Sequence, residues 1–294
     1  MYPVNFDYYI ARTDEEAIEL LDKHAGEAKV LAGGQSLIPL MKLRLVRPTL
    51  VVDINPIMEL RYVREESNGW LAIGALTRIA DLVTSPIIRK KYHIIYEAAK
   101  QIADPQVRNM GTVGGNVSHG DPGNDLPAVF MALDARYVIR SPKGQRTVSP
   151  KDFYRGPYET ILEPNELLTE VRIPPAKGRS GGSYAKLEKR VGDFAIAAVA
   201  VQVSLTEDGR ISTAGLGYTN LAPKPLDGDP IATLLVGKKL SKDVLGEVKE
   251  ALEKFGFSPS TDLRGPDWYK RDMAKNLTIK ALNTAVERAE AMVV

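Results

Sequence analysis

Two pairs of adjacent glycines are the residues of this chain best placed to bind a charged ligand. Gly33 and Gly34 sit in Ala32-Gly33-Gly34-Gln35-Ser36, and Gly114 and Gly115 in Thr112-Val113-Gly114-Gly115-Asn116. Without Cβ atoms, such a backbone can approach a ligand closely and turn its amides toward it, and phosphate oxygens are the natural partners. A single Gly-Gly after a strand is also simply a tight turn. The second pair adds Thr112 and Asn116, both able to hydrogen-bond phosphate oxygens. Asp125 follows in Gly120-Asp121-Pro122-Gly123-Asn124-Asp125-Leu126-Pro127. An ionised carboxylate only accepts hydrogen bonds, which suits the hydroxyls of a ribose or ribitol. The same residue suits the N-cap of a helix running through Phe130 and Met131, and the two roles are compatible. Neither glycine segment is a Gly-x-Gly-x-x-Gly fingerprint, and no Gly-Lys-Ser/Thr occurs, which argues against a Rossmann site and nucleotide hydrolysis.

The elements that must position these residues are readable in outline. Thr13-Asp14-Glu15-Glu16 is a capping box, with Thr13 as N-cap and Glu16 at N3, ahead of an apolar face of Ala17, Ile18, Leu20 and Leu21 that Gly26 can end. Lys29–Ala32 is a short buried strand entering Gly33-Gly34, and Leu50–Ile54 is a second one broken by Asn55-Pro56. Residues 1–57 thus read as a small α/β lobe. A strand near Trp70–Gly74 opens residues 58–177. Thr77 is expected to cap a short helix through Val83, and Ser85-Pro86 to start one longer helix through Ile102. Strands are expected at Ala135–Arg140 and Leu167–Ile173. Pro174–Gly182 reads as a linker, and residues 178–294 as a meander of Ser183–Arg190, Ala195–Leu205 and Arg210–Thr219, with a tight turn at Asp208-Gly209. Helices are expected at Ser241–Phe255 and about Asp267–Ala291, the latter burying Trp268, Leu277, Ala281, Leu282, Ala285, Val286 and Ala289.

Composition narrows the chemistry. The chain has 294 residues, 44% hydrophobic and 26% charged, with a net charge of only +2, which gives no footprint of a nucleic-acid binder. The opening Met1–Asp7 lacks a basic and an apolar region, so no secretory signal is expected, and there is no apolar run of the roughly 20 residues a membrane helix needs. The expected location is the cytoplasm. With no cysteine, the chain itself holds no disulfide, thiol nucleophile or cysteine-ligated iron–sulfur cluster. His24, His93 and His119 have no metal-ligand spacing and read as solvated or capping residues. Redox chemistry here must rest on a bound organic cofactor.

Leu31-Ala32-Gly33-Gly34-Gln35-Ser36-Leu37, Thr112-Val113-Gly114-Gly115-Asn116 and Asp125 together resemble the flavoprotein of the molybdenum hydroxylases. This family includes the medium subunits of carbon monoxide dehydrogenase and aldehyde oxidoreductases and the central part of xanthine dehydrogenase. The similarity continues through Tyr184–Arg190 and Asp193-Phe194-Ala195 to the helical tail. It implies an α+β fold: a two-lobed FAD-binding domain followed by a C-terminal antiparallel sheet with helices. It implies FAD, with the diphosphate on both glycine segments and Asp125 on the polar sugar chain; with no cysteine and no histidine in either segment, the flavin is expected to be held non-covalently. Ile102 and Leu168 would flank the isoalloxazine, and Lys186 would lie near its pyrimidine end. Read without the family, Ile102 and Leu168 are core residues and Lys186 a solvated strand residue. The resemblance further implies a large molybdopterin-binding partner that oxidises the substrate, an aldehyde or related compound. A small partner with 2Fe-2S clusters would relay the electrons, leaving this subunit without a catalytic residue or metal of its own. A self-contained flavin oxidase would need a larger substrate domain than the segment after the linker offers. A non-catalytic FAD-sensing module is the other alternative.

Overall fold

The computed structural model describes residues 2–292. Three parallel strands form the first sheet, with Leu50–Asp53 between Asp7–Ile10 and Ala28–Leu31. The helix Asp14–Lys23 crosses between the outer two, as parallel pairing requires. Thr13 caps it by accepting from the Glu16 amide at 3.1 Å. Glu16 does not close the expected box on Thr13; it reaches one residue further back to the Arg12 amide, at 2.7 Å. Ala17, Ile18 and Leu21 pack against Val52, Ile54 and Leu60.

A five-stranded antiparallel sheet follows, ordered Val63–Glu65, Leu71–Gly74, Leu167–Ile173, Arg136–Ser141, Gly144–Val148. Helices between its second and fourth strands cover it and carry most of the candidate site. Two expectations fail here. Thr77 does not cap the helix Ile79–Thr84: its hydroxyl is buried and bonded to the Tyr62 backbone, at 2.8 Å to the carbonyl and 3.2 Å from the amide. The expected single helix from Ser85 is two, Pro86–Lys91 and His93–Gln101. The chain leaves helical geometry at Tyr92, whose side chain is held in the core.

The third sheet is an antiparallel meander of Arg179–Glu188, Ala195–Leu205, Ile211–Thr219 and Leu226–Asp227. The central strand is buried on both faces. Ala197, Val199, Val201 and Val203 join the core beneath the long helix Asp267–Ala291. Ala198 and Ala200 face the opposite way, toward Ala128 and Ala98 of the middle region. This alternation makes the sheet a wall shared by two cores. The expected linker ends earlier than read, because Arg179–Gly182 is already strand, paired with Leu205–Gln202. Gly181 belongs there because any Cβ would lie 2.0 Å from the Ala285 carbonyl oxygen of the long helix. Trp268 is not on the buried side: it is 61% exposed in the first turn and packs edge-on against Tyr269.

Candidate functional site

The first glycine segment joins the strand Ala28–Leu31 to a short helix, Leu37–Lys42, that sequence reading did not anticipate. Gly34 turns the chain in the left-handed region, at φ +72°. Among the described residues, the amides of Gly33, Gly34, Gln35, Ser36 and Leu37 donate to no protein acceptor. Ser36 makes no capping bond, and its hydroxyl has no partner among the described residues. A run of unpaired amides at a helix start is the arrangement that holds a phosphate group.

The second segment is built differently from the open loop its glycines suggest. Thr112 is the N-cap of a helix, Val113–His119, which ends at Gly120 in the left-handed region. Glycine is a poor helix former, costing about 1 kcal/mol relative to alanine, so this helix depends on its surroundings. Val113 donates to the Thr77 carbonyl at 2.9 Å and Gly114 to that of Ala75 at 2.8 Å. The Gly115 amide donates to the Thr112 hydroxyl at 3.1 Å, and that of Asn116 to the Thr112 carbonyl at 3.0 Å. The amides of this segment are therefore already bonded. Gly114 is buried, and a Cβ there would lie 2.6 Å from that of Ala75. Gly115 is exposed. Oδ1 of Asn116 is buried without a hydrogen-bond partner among the described residues. Such an atom costs about 1–3 kcal/mol unless a ligand supplies a donor.

The first segment packs on the residues that lead into the second. A Cβ on Gly33 would sit 2.4 Å from the Met110 carbonyl oxygen and 2.7 Å from Cα of Gly111. Arg78, which sequence reading missed, spans this seam. One terminal nitrogen donates to the Met110 carbonyl, and the other to Oδ1 of Asn55 at 2.7 Å. Asn55 in turn donates to the Ala32 carbonyl at 2.7 Å. A lone arginine has no spacing signature, so nothing in the sequence could have singled it out.

Asp125 opens the helix Asp125–Ala132, whose N-cap position falls to Asn124. It is not a solvent-facing acceptor. Oδ1 accepts from the Tyr184 hydroxyl at 2.5 Å and Oδ2 from Nζ of Lys186 at 3.1 Å. Lys186 is not the solvated strand residue expected without the family: its side chain is 1% exposed and also donates to the Gln101 carbonyl at 3.2 Å. Glu188 lies 3.5 Å from the same ammonium. Burial pushes the Asp125 carboxyl above its ordinary pKa, with the Lys186 charge and the Tyr184 hydroxyl pulling it back. Lys186 thus bonds both Asp125 and the carbonyl of the residue that precedes Ile102. Leu168 lies on the five-stranded sheet and belongs to the same buried cluster, against which Ile102 packs. Leu31 and Leu37 flank the first segment, half-buried.

Unpaired amides, an orphaned amide oxygen and a buried carboxylate fit a phosphorylated ligand with hydroxyl groups. Residues 4–176 match the family described as the FAD binding domain in molybdopterin dehydrogenase. Residues 182–285 match the C-terminal domain of the carbon monoxide dehydrogenase flavoprotein. The chain belongs to the molybdenum hydroxylase flavoproteins. The resemblance read from the sequence and the α+β fold it implied are borne out, and the cofactor of this family's binding domain is FAD.

Among curated relatives of these flavoproteins, the chain is 42% identical to the carbon monoxide dehydrogenase medium chain of Hydrogenophaga pseudoflava, over 98% of this chain and 99% of that one. It is 38% identical to the glyceraldehyde dehydrogenase medium chain of Sulfolobus acidocaldarius, over 96% and 98% of the two chains. A solved structure of carbon monoxide dehydrogenase from Hydrogenophaga pseudoflava superposes with a TM-score of 0.94, covering 98% of this chain and 99% of that one at 42% identity. No helix among the described residues is long and apolar enough to cross a membrane.

Proposed function

We propose that this chain is the electron-transfer subunit of a heteromeric, cytoplasmic molybdenum-cofactor-dependent oxidoreductase acting on an aldehyde or related substrate. The likeness over 98% of the chain to a relative named a medium chain carries this reading. In it, a large subunit oxidises the substrate at a molybdopterin centre, and a small subunit brings the electrons through 2Fe-2S clusters. The absence of cysteine supports that division, since this chain supplies no thiolate for a cluster. When bound, FAD exchanges electrons with such carriers and delivers them to an external acceptor.

The chain's own residues hold and orient that cofactor. The free amides from Gly33 to Leu37 would take the diphosphate, and Oδ1 of Asn116, buried without a partner among the described residues, would accept from a hydroxyl or N–H of the cofactor. The bonded amides of residues 113–116 support a different task for the second segment, which is to present Asn116 and the open edge at Gly115. Asp125 keeps lone pairs beyond its bonds to Tyr184 and Lys186, and these would accept sugar-chain hydroxyls. Ile102 and Leu168 would flank the ring, with Lys186 at its pyrimidine end. The division 1–57, 58–177 and 178–294 is supported by three buried clusters centred in those stretches.

Affinity purification of the tagged chain from its native host tests this reading. It should bring down a large molybdenum-containing chain and a small cysteine-rich one. Isolation of a lone yellow protein that oxidises substrate unaided would overturn it.

A further inference from the structure

We propose that Arg78 is the fixed counter-cation for the diphosphate of FAD, positioned at the seam where the first glycine segment packs on the residues leading into the second. The inference deepens the cofactor reading and rests on it. Its basis is a half-buried guanidinium without a carboxylate partner. Among the described residues Arg78 forms no ion pair, although two acids lie close enough to act on its charge. Asp81 is paired instead with Arg61 at 3.0 Å. Asp53 accepts from the Asn55 amide and side chain through Oδ1 and from the Tyr8 hydroxyl through Oδ2. Burying part of an uncompensated cation is unfavourable unless an anion arrives to pair with it.

The placement tells which anion. The guanidinium bonds to Met110, whose carbonyl packs on Gly33, and to Asn55, which holds the carbonyl of Ala32. It thus stands beside the segment whose amides are unpaired from Gly33 to Leu37. Its two existing bonds leave N–H donors free and fix the plane of the group, so little side-chain freedom is lost when an anion binds. Arginine suits this position because its planar fork can hold one backbone acceptor, the Met110 carbonyl, and one side-chain acceptor, Oδ1 of Asn55, and still face a phosphate oxygen. A diphosphate offers two charges to a cation and an amide run that lie side by side; a single carboxylate offers one.

The test uses the assembled complex stripped of flavin, with FAD titrated back and its fluorescence followed at low and high salt. Arg78→Met should weaken FAD binding by about tenfold to a hundredfold, the size expected for losing a charge-assisted contact. Arg78→Lys keeps the charge and should lose clearly less. Raising the salt should weaken binding to the wild type and to Arg78→Lys more than to Arg78→Met. Inorganic diphosphate should compete with FAD on the wild type more strongly than sulfate at equal ionic strength. This last arm needs no variant, and melting of the flavin-free complexes identifies a variant that fails through folding. Arg78→Met binding FAD within about twofold of wild type, near experimental error on this scale, overturns the role of Arg78 while leaving the FAD reading intact. Equal losses in both variants with one common salt dependence overturn it too, since the side chain would then act only as a clamp. A wild-type complex that takes up no FAD takes down both readings.

Discussion

Oδ2 of Asp125 lies 3.1 Å from Nζ of Lys186, with the two side chains 6% and 1% exposed. This ion pair joins the helix Asp125–Ala132 to the strand Arg179–Glu188, and so fastens the middle region of the chain to its C-terminal sheet. The lysine charge is not free to act alone on a flavin, because Asp125 and Glu188 both face it.

Lys186→Met should therefore cost stability first. It strands two acids near a desolvated site, and breaking a buried pair typically costs about 3–5 kcal/mol. Adding Asp125→Asn should recover a substantial part of that loss. Denaturant midpoints of the two single variants and the double measure the coupling; strictly additive losses would show that the pair contributes nothing jointly.

Asn116→Ala should separate binding from stability. The flavin-free protein loses an unsatisfied buried oxygen, so its melting temperature should hold or rise, while FAD affinity falls by about tenfold for one lost hydrogen bond. A variant that melts lower and binds FAD normally would show that Asn116 serves the fold.

Gly114→Ala and Gly115→Ala should differ, although the two residues are neighbours. At Gly114 a methyl group meets Cβ of Ala75 at 2.6 Å and its carbonyl oxygen at 2.9 Å. The helix Val113–His119 must shift, at a cost of about 1–3 kcal/mol. Gly115 is exposed, and its new Cβ would crowd only the Thr112 hydroxyl, at 2.8 Å. Thermal melts of the flavin-free variants should show the larger drop for Gly114→Ala; equal melts would contradict the packing described.

A second buried lysine gives a pH signature. Nζ of Lys270, fully buried, lies 2.9 Å from Oδ2 of Asp262 and donates to the Ser260 carbonyl at 2.9 Å. Burial raises the Asp262 carboxyl pKa, but the Lys270 bond and the Arg264 amide outweigh it, and the net shift is downward from 3.8. The folded state therefore binds this proton less readily than the unfolded chain. Stability from the pair is fully present above pH 3.8 and is lost as pH falls through the lower folded value. Asp262→Asn should lower the melting temperature near neutral pH and melt progressively closer to wild type below pH 4 or so, given that linkage. A constant gap across the acid range would show that the carboxylate does not titrate in this way.

How far the sequence reaches depends on how local the cause is. The strands Leu167–Ile173 and Ala195–Leu205 and the helix Asp267–Ala291 have the expected bounds, because their patterning is contained within each element. The helix at Val113–His119 was hidden by its two glycines, since the carbonyls of Ala75 and Thr77 that stabilise it are distant in sequence. Trp268 reads as core by type, yet it lies exposed in the first turn of the helix. The glycine pairs and Asp125 stand out from the residues themselves, and Lys186 only through the family resemblance. That Asp125 and Lys186 are partners was not visible, and neither was Arg78, because only the folded chain supplies their neighbours.

The proposed FAD site rests above all on the unpaired amides of the first glycine segment. Hydrogen exchange of the assembled complex, with flavin bound and with flavin removed, tests it most directly. Peptides spanning residues 33–37 should exchange fast without flavin and slow by at least about tenfold with it, as newly bonded amides do. Residues 113–116, already bonded within the chain, should change far less. Unaltered exchange at 33–37, with protection appearing only elsewhere, would contradict the account.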